Sequence, residues 1–165
     1  MVGDSMLGRL LMEHKRQKPY DGINPSHAVD IGAYRVKTTE DMIDLIKPAL
    51  RRNPAKLIVM SGTNDFEHRI DTIQQAKNVI RTVREVAPTT KLALTEICTR
   101  RDQYAPAHSA IADINNRLRN LCRHEQVELI STQSFDGDCL SRGRLHPNDN
   151  GNEVLKNIFN NFINK

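Results

Sequence analysis

Short apolar runs of strand length alternate with longer stretches of helical spacing from one end of this chain to the other. Leu57-Ile58-Val59-Met60, Leu92-Ala93-Leu94-Thr95 and Val127-Glu128-Leu129-Ile130 are bounded by Pro, Gly or polar clusters, which marks them as central strands. Between them, apolar residues recur at helical intervals: Met42, Ile43, Leu45, Ile46 and Leu50; Ile73, Ala76, Val79, Ile80 and Val83; Ile111, Ile114, Leu118 and Leu121. A last helix is expected from Asp149 or Asn150, with Asn148 to Asn150 available as caps. This alternation predicts an α/β fold with a mostly parallel, five-stranded, doubly wound sheet. Ligands of such sheets bind outside the carboxyl ends of the strands, so chemistry is sought on that rim.

The two ends of the pattern are less regular. Only Met1 and Val2 precede the turn Gly3-Asp4-Ser5, so the first strand is expected at the very start, as in a single domain (residues 1–165) cut from a longer protein. A second strand is expected around Ala33 to Val36, because Lys18 to His27 reads as a loop containing Pro and Gly. The 165 residues carry 24 Lys and Arg against 20 Asp and Glu, a net charge of +4, with 38% hydrophobic residues. That balance belongs to a globular domain and excludes disordered and fibrous classes. No window approaches the roughly 18 apolar residues of a membrane span, and the first residues lack a signal-peptide layout. Cys98, Cys122 and Cys139 are odd in number and widely separated, as expected of reduced thiols in an intracellular, cytoplasmic protein.

Three polar motifs fall where the chemistry should be. Ser5 follows the first strand and opens an expected helix, Met6 to His14, where free N–H groups and the helix dipole favour developing negative charge. A capping role for Asp4 or Ser5 is the alternative. Gly62-Thr63-Asn64-Asp65 follows the strand ending at Met60, and Leu145-His146-Pro147-Asn148 precedes the final helix. A serine hydroxyl needs a base that titrates near neutrality, and His146 is the candidate. The other histidines, at 14, 27, 68, 108 and 124, have no partner motif, and none forms a metal-ligand spacing. Asn64 can donate its amide to an oxyanion while Gly62 lets the backbone approach closely. A polar turn capping the next helix is the competing reading.

In order and spacing these motifs resemble the SGNH, or GDSL-type, serine hydrolases over nearly the whole chain. The resemblance implies a flavodoxin-like three-layer α/β/α fold and hydrolysis of small acyl, acetyl-type or lipid esters, with neither metal nor cofactor. It implies Ser5 as nucleophile, His146 as general base, and Asn64 with the Ser5 N–H as oxyanion donors. Two departures stand out. The family usually carries an Asp three residues before its catalytic His, where this chain has Gly143; a backbone carbonyl, Asp136 or Asp138 could orient His146 instead. The family's further oxyanion Gly is matched only by Gly32, and alignment on Thr38 to Met42 points instead to Val36 or Lys37.

Arg100 and Arg101 follow the fourth strand and Arg142 and Arg144 flank His146, so four cations are expected to surround one rim and attract anions. That suits a phospholipid headgroup, as on an anionic membrane surface, an acidic ester or a nucleic-acid backbone, whereas a neutral small ester gains nothing from it. Three Tyr, four Phe and no Trp offer few stacking platforms, so nucleic acid is expected to engage flanking regions of a full-length protein rather than this domain. Phrases such as Thr39-Glu40-Asp41-Met42, Ile46-Lys47-Pro48 and Ser61 to Asp65 resemble the esterase domains in first-open-reading-frame proteins of LINE-type retrotransposons. The alternative function is a weak or inactive module of the same fold that binds anionic lipid, glycan or nucleic acid through its arginines.

Overall fold

Four consecutive residues, Leu57 to Met60, are buried within the strand Lys56–Met60 (β3). Continuous burial is what a parallel strand covered on both faces requires. The computed structural model describes residues 1–8, 29–106 and 108–165 and puts β3 at the centre of a five-stranded sheet. Its companions are β1 (Val2–Gly3), β2 (Gly32–Ala33), β4 (Lys91–Thr95) and β5 (Glu128–Ile130). The order is β2-β1-β3-β4-β5 and every neighbouring pair is parallel. This is the flavodoxin-like order, which reverses direction of winding between β1 and β3.

The second strand is shorter and earlier than expected. Tyr34 N–H still donates to the Gly3 carbonyl, but Val36 then turns left-handed at φ 55°, and the ladder ends. The expected helix from Met6 to His14 begins as a single 3-10 turn, Ser5–Leu7; its continuation, with His14 and His27, lies outside the described residues.

The α-helices among the described residues are α1 (Thr39–Leu45), α2 (Lys47–Leu50), α3 (Asp65–His68), α4 (Thr72–Val86), α5 (His108–His124) and α6 (Asp149–Ile163). Alternation along the strands sends Leu57, Val59 and Leu94 into one core with Met42, Val79 and Leu118. Ile58, Met60 and Ala93 enter the other, against Leu155, Phe159 and Met6. Helices thus cover both faces of the sheet in three layers. Local chemistry sets their starts. Thr38 and Asp41 form a reciprocal capping box before α1, Asp71 caps α4, and Asn148 accepts from Gly151 N–H to cap α6. All three cysteines are buried and unpaired, and burial pushes the Cys122 thiol up to about 11. No described helix is long and apolar enough to cross a membrane.

Candidate active site

The first loop of the rim is built by close packing at Gly3. A Cβ there would lie 2.5 Å from the Met60 carbonyl oxygen, so a side chain would force β1 away from β3. The following amide, Asp4 N–H, donates to that same oxygen at 3.0 Å. Asp4 is then the N-cap of the 3-10 turn, its Oδ1 accepting from Met6 N–H at 2.9 Å. Capping therefore falls to Asp4. Ser5, half-buried, has neither its hydroxyl nor its N–H in a hydrogen bond with any described residue. Asp4 is wholly buried and its Oδ2 has no described partner. Burial pushes its carboxyl up from 3.8 to about 7, with the Met6 N–H opposing and the charge of Asp65 adding.

The loop after β3 holds Asn64. Gly62 has φ 107°, and a Cβ on it would meet Ile97 Cγ1 at 2.9 Å, so both conformation and space require glycine. Asn64 stands at the N-cap of α3 but makes no side-chain cap bond; it donates its amide to the Lys37 carbonyl at 2.9 Å. One amide hydrogen remains. Asp65 accepts from Thr39 N–H at 2.8 Å and from Thr39 Oγ1 at 2.7 Å, fastening the start of α1 to this loop. Gly32, by contrast, lies inside β2, where its N–H donates to the Met1 carbonyl at 2.9 Å. That amide is engaged in the sheet. The loop beyond it offers Val36 and Lys37, whose N–H groups meet no described partner, with Val36 adopting the left-handed conformation that glycine favours.

Arg100 departs from the expected exposed rim. It is 4% exposed, and its guanidinium grips Asp102 through Nε at 2.7 Å and Nη2 at 2.6 Å. Its Nη1 donates to the Thr63 carbonyl at 2.6 Å, so the arginine braces the Asn64 loop. The guanidinium in turn holds the Asp102 carboxyl below the usual range. Glu96, also buried, pairs with Arg119 and accepts from Ser131 Oγ and Thr132 N–H, joining the ends of β4 and β5. Arg101, Arg142 and Arg144 are exposed.

His146 rides on a hairpin. Leu140 and Pro147 form an antiparallel bridge, and Ser141 N–H donates to the His146 carbonyl at 2.8 Å. Asn148 gives its amide to the carbonyls of Asp138 and Leu140 at 2.7 and 3.1 Å while capping α6. The first turn of α6 presses so closely that a Cβ on Gly151 would sit 2.2 Å from the Cys139 carbonyl oxygen. Asp136 Oδ1 accepts from Asp138 N–H, a local cap, and Gly143 lies in the exposed turn.

Cross-links thus run along the rim from loop to loop: Asp4 to Met60, Asn64 to Lys37, Arg100 to Thr63, and Arg101 N–H to the Arg144 carbonyl at 2.8 Å. The bracing roles of Asp65, Arg100 and Gly151 were not foreseen in the sequence. The only cue for Arg100 was a carboxylate two residues on, and Gly151 announces itself only through a contact distant in sequence. Among the described residues, no three His, Cys, Asp or Glu side chains gather as a metal site.

The model of the GDSL-like lipase/acylhydrolase family matches residues 3–154. Among solved structures, the chain superposes on a lipase/acylhydrolase from Enterococcus faecalis at TM-score 0.69 and 19% identity, covering 98% of this chain and 93% of that one. A carbohydrate esterase family 3 protein from Talaromyces cellulolyticus gives TM-score 0.73 and 18% identity over 99% and 94% of the two chains. A family 3 carbohydrate esterase from Clostridium thermocellum gives 0.69 and 19% over 96% and 90%. No curated protein matches the chain. At these identities the superpositions establish the fold, while the family model spans the loops that carry Ser5, Asn64 and His146. The chain belongs to the GDSL-like lipase/acylhydrolase family, whose chemistry is ester hydrolysis.

Proposed function

We propose that this chain is a serine esterase acting on small acyl, acetyl-type or lipid esters. The observation that carries the reading is the division of labour at the first loop: Asp4 caps the turn and leaves the Ser5 hydroxyl and N–H without a partner among the described residues, at the carboxyl end of β1. Ser5 Oγ attacks the ester carbonyl carbon as His146 accepts its proton. The carbonyl π electrons move onto oxygen, and that oxyanion is received by the Ser5 N–H, the remaining Asn64 amide hydrogen and the Val36 or Lys37 N–H. Collapse expels the alcohol, which takes the proton from His146. Water then repeats the sequence on the acyl-enzyme, releasing the acid and regenerating Ser5.

The neighbours named as carbohydrate esterases and as a lipase/acylhydrolase support ester bonds of either kind as substrate. With Gly143 in place of an orienting Asp, turnover is expected to be slower than in enzymes carrying the full triad. The test is hydrolysis of p-nitrophenyl acetate by the parent, Ser5→Ala and His146→Ala, with folding checked by circular dichroism. Both variants are expected to lose activity by on the order of 10³-fold or more. Equal turnover by Ser5→Ala and parent would overturn the mechanism. A folded but inactive parent would favour a binding module.

A further inference from the structure

We propose that Arg101, Arg142 and Arg144 form a subsite for a phosphate-type oxoanion carried by the ester substrate; this rests on the esterase reading above. The three arginines line a recess of about 480 Å³ together with Gly137, Leu140 and Ser141, and among the described residues no acidic side chain lines it. None of the three forms an ion pair among the described residues. Arg100, their sequence neighbour, is neutralised by Asp102 and buried, which separates a structural arginine from the uncompensated ones.

The recess is built. The Arg101 guanidinium lies against Gly137 so closely that a Cβ there would stand 2.2 Å from Cζ, so a side chain at 137 would displace it. The Arg101 N–H bond to the Arg144 carbonyl fixes the two backbones together. Arg144 holds φ 56° and closes its turn by donating its N–H to Ser141 O at 2.8 Å. Asp136 shares with Arg101 the wall of the neighbouring recess but does not line this one, and no ion pair joins the two. Three like charges around one hollow repel, and an oxoanion offsets that repulsion while accepting paired N–H donors from guanidinium forks. Arg142 and Arg144 belong to the same hairpin as His146. An anion held there is part of the molecule whose ester is cleaved, on the acyl or the alcohol side. A neutral acetyl ester gains nothing from it.

The first measurement is calorimetric titration of inorganic pyrophosphate into Ser5→Ala protein at low ionic strength, with and without the added pair Arg142→Ala and Arg144→Ala. Because Ser5→Ala carries no turnover, this readout stands apart from the esterase reading. Saturable binding, weakened at least tenfold by the arginine pair and partly restored by Arg→Lys at both positions, is expected. Absence of binding, or binding indifferent to the pair, would overturn the subsite. The second measurement is the ratio of kcat/KM for a phosphorylated aryl acetate over p-nitrophenyl acetate, which the pair should lower about tenfold. An unchanged ratio would overturn the link to substrate, as would RNA binding lost in the pair without any effect on the ratio. Phosphatidylcholine vesicles with and without phosphatidylglycerol distinguish the sources. Pyrophosphate-competed binding to the anionic vesicles alone assigns the phosphate to a lipid headgroup, and pyrophosphate binding without vesicle binding assigns it to a soluble ester.

Discussion

At Asp4 the fold buries a carboxyl group beside Ser5 and leaves one oxygen without a described partner. Its folded pKa of about 7 lies above its ordinary 3.8, so between those values the folded state holds more proton than the unfolded chain. Stability linked to this group is therefore full below about pH 4, declines as pH rises toward about 7 and is flat beyond, a total of roughly 4 kcal/mol. Asp41 and Asp102 act in the opposite sense. The Thr38 N–H and Arg100 respectively lower their pKa, and their support is lost as pH falls. Asp4→Asn removes the Asp4 slope alone. Urea denaturation of parent and variant from about pH 4.5 to about pH 7.5 should show the parent losing several kcal/mol relative to the variant. Parallel curves would mean that Asp4 does not carry its proton in the folded state. Sequence alone left the cap between Asp4 and Ser5, because either side chain can accept from an N-terminal amide; the burial that decides it comes from strands distant in sequence.

The helix α6 and the hairpin before it behave as one element, locked where Gly151 meets the Cys139 carbonyl. Backbone lies on both sides of that contact, so neither partner yields as a flexible side chain would. Gly151→Ala is expected to cost about 1–3 kcal/mol and to lower kcat by displacing His146. Gly143→Ala is the matched control. Among the described residues its Cβ would meet only Ser141 Oγ, at 3.9 Å, and stability should change by no more than about 0.5 kcal/mol. Thermal denaturation with p-nitrophenyl acetate kinetics measures both, and equal effects at the two glycines would refute the lock. Elements with a period were readable before the structure: β3, β4 and β5 and the helices α1, α4, α5 and α6 all fall within a few residues of their apolar patterns. The hairpin was not, since a single bridge between Leu140 and Pro147 leaves no repeating pattern. The expected second strand extended too far because Val36 looks like a strand residue but is held left-handed.

Across the whole molecule the two ends of the sheet carry different duties. At the carboxyl rim Arg100 ties the loops after β3 and β4 together; at the opposite end Lys56, first residue of β3, donates to the carbonyls of Phe162 and Ile163 at 3.2 and 2.7 Å. Its ammonium also stands 5.6 Å above the Phe162 ring, closing the C-terminus of α6 where a helix dipole favours a cation. Arg100→Met orphans the Thr63 carbonyl and the Asp102 carboxylate in a buried setting, a loss of about 3 kcal/mol, and frees the loop that aims Asn64. Lys56→Met costs about 1–2 kcal/mol and touches nothing on the rim. Below their unfolding temperatures the two should part company. Arg100→Met is expected to lower kcat for p-nitrophenyl acetate at least tenfold with KM less affected, while Lys56→Met keeps the kinetic constants of the parent. Conservative Arg100→Lys keeps the charge but loses the fork to Asp102, and should recover stability more than kcat. If activity instead tracks stability alike in all three variants, the rim is not built separately from the core, and Arg100 has no positioning role beyond holding the fold.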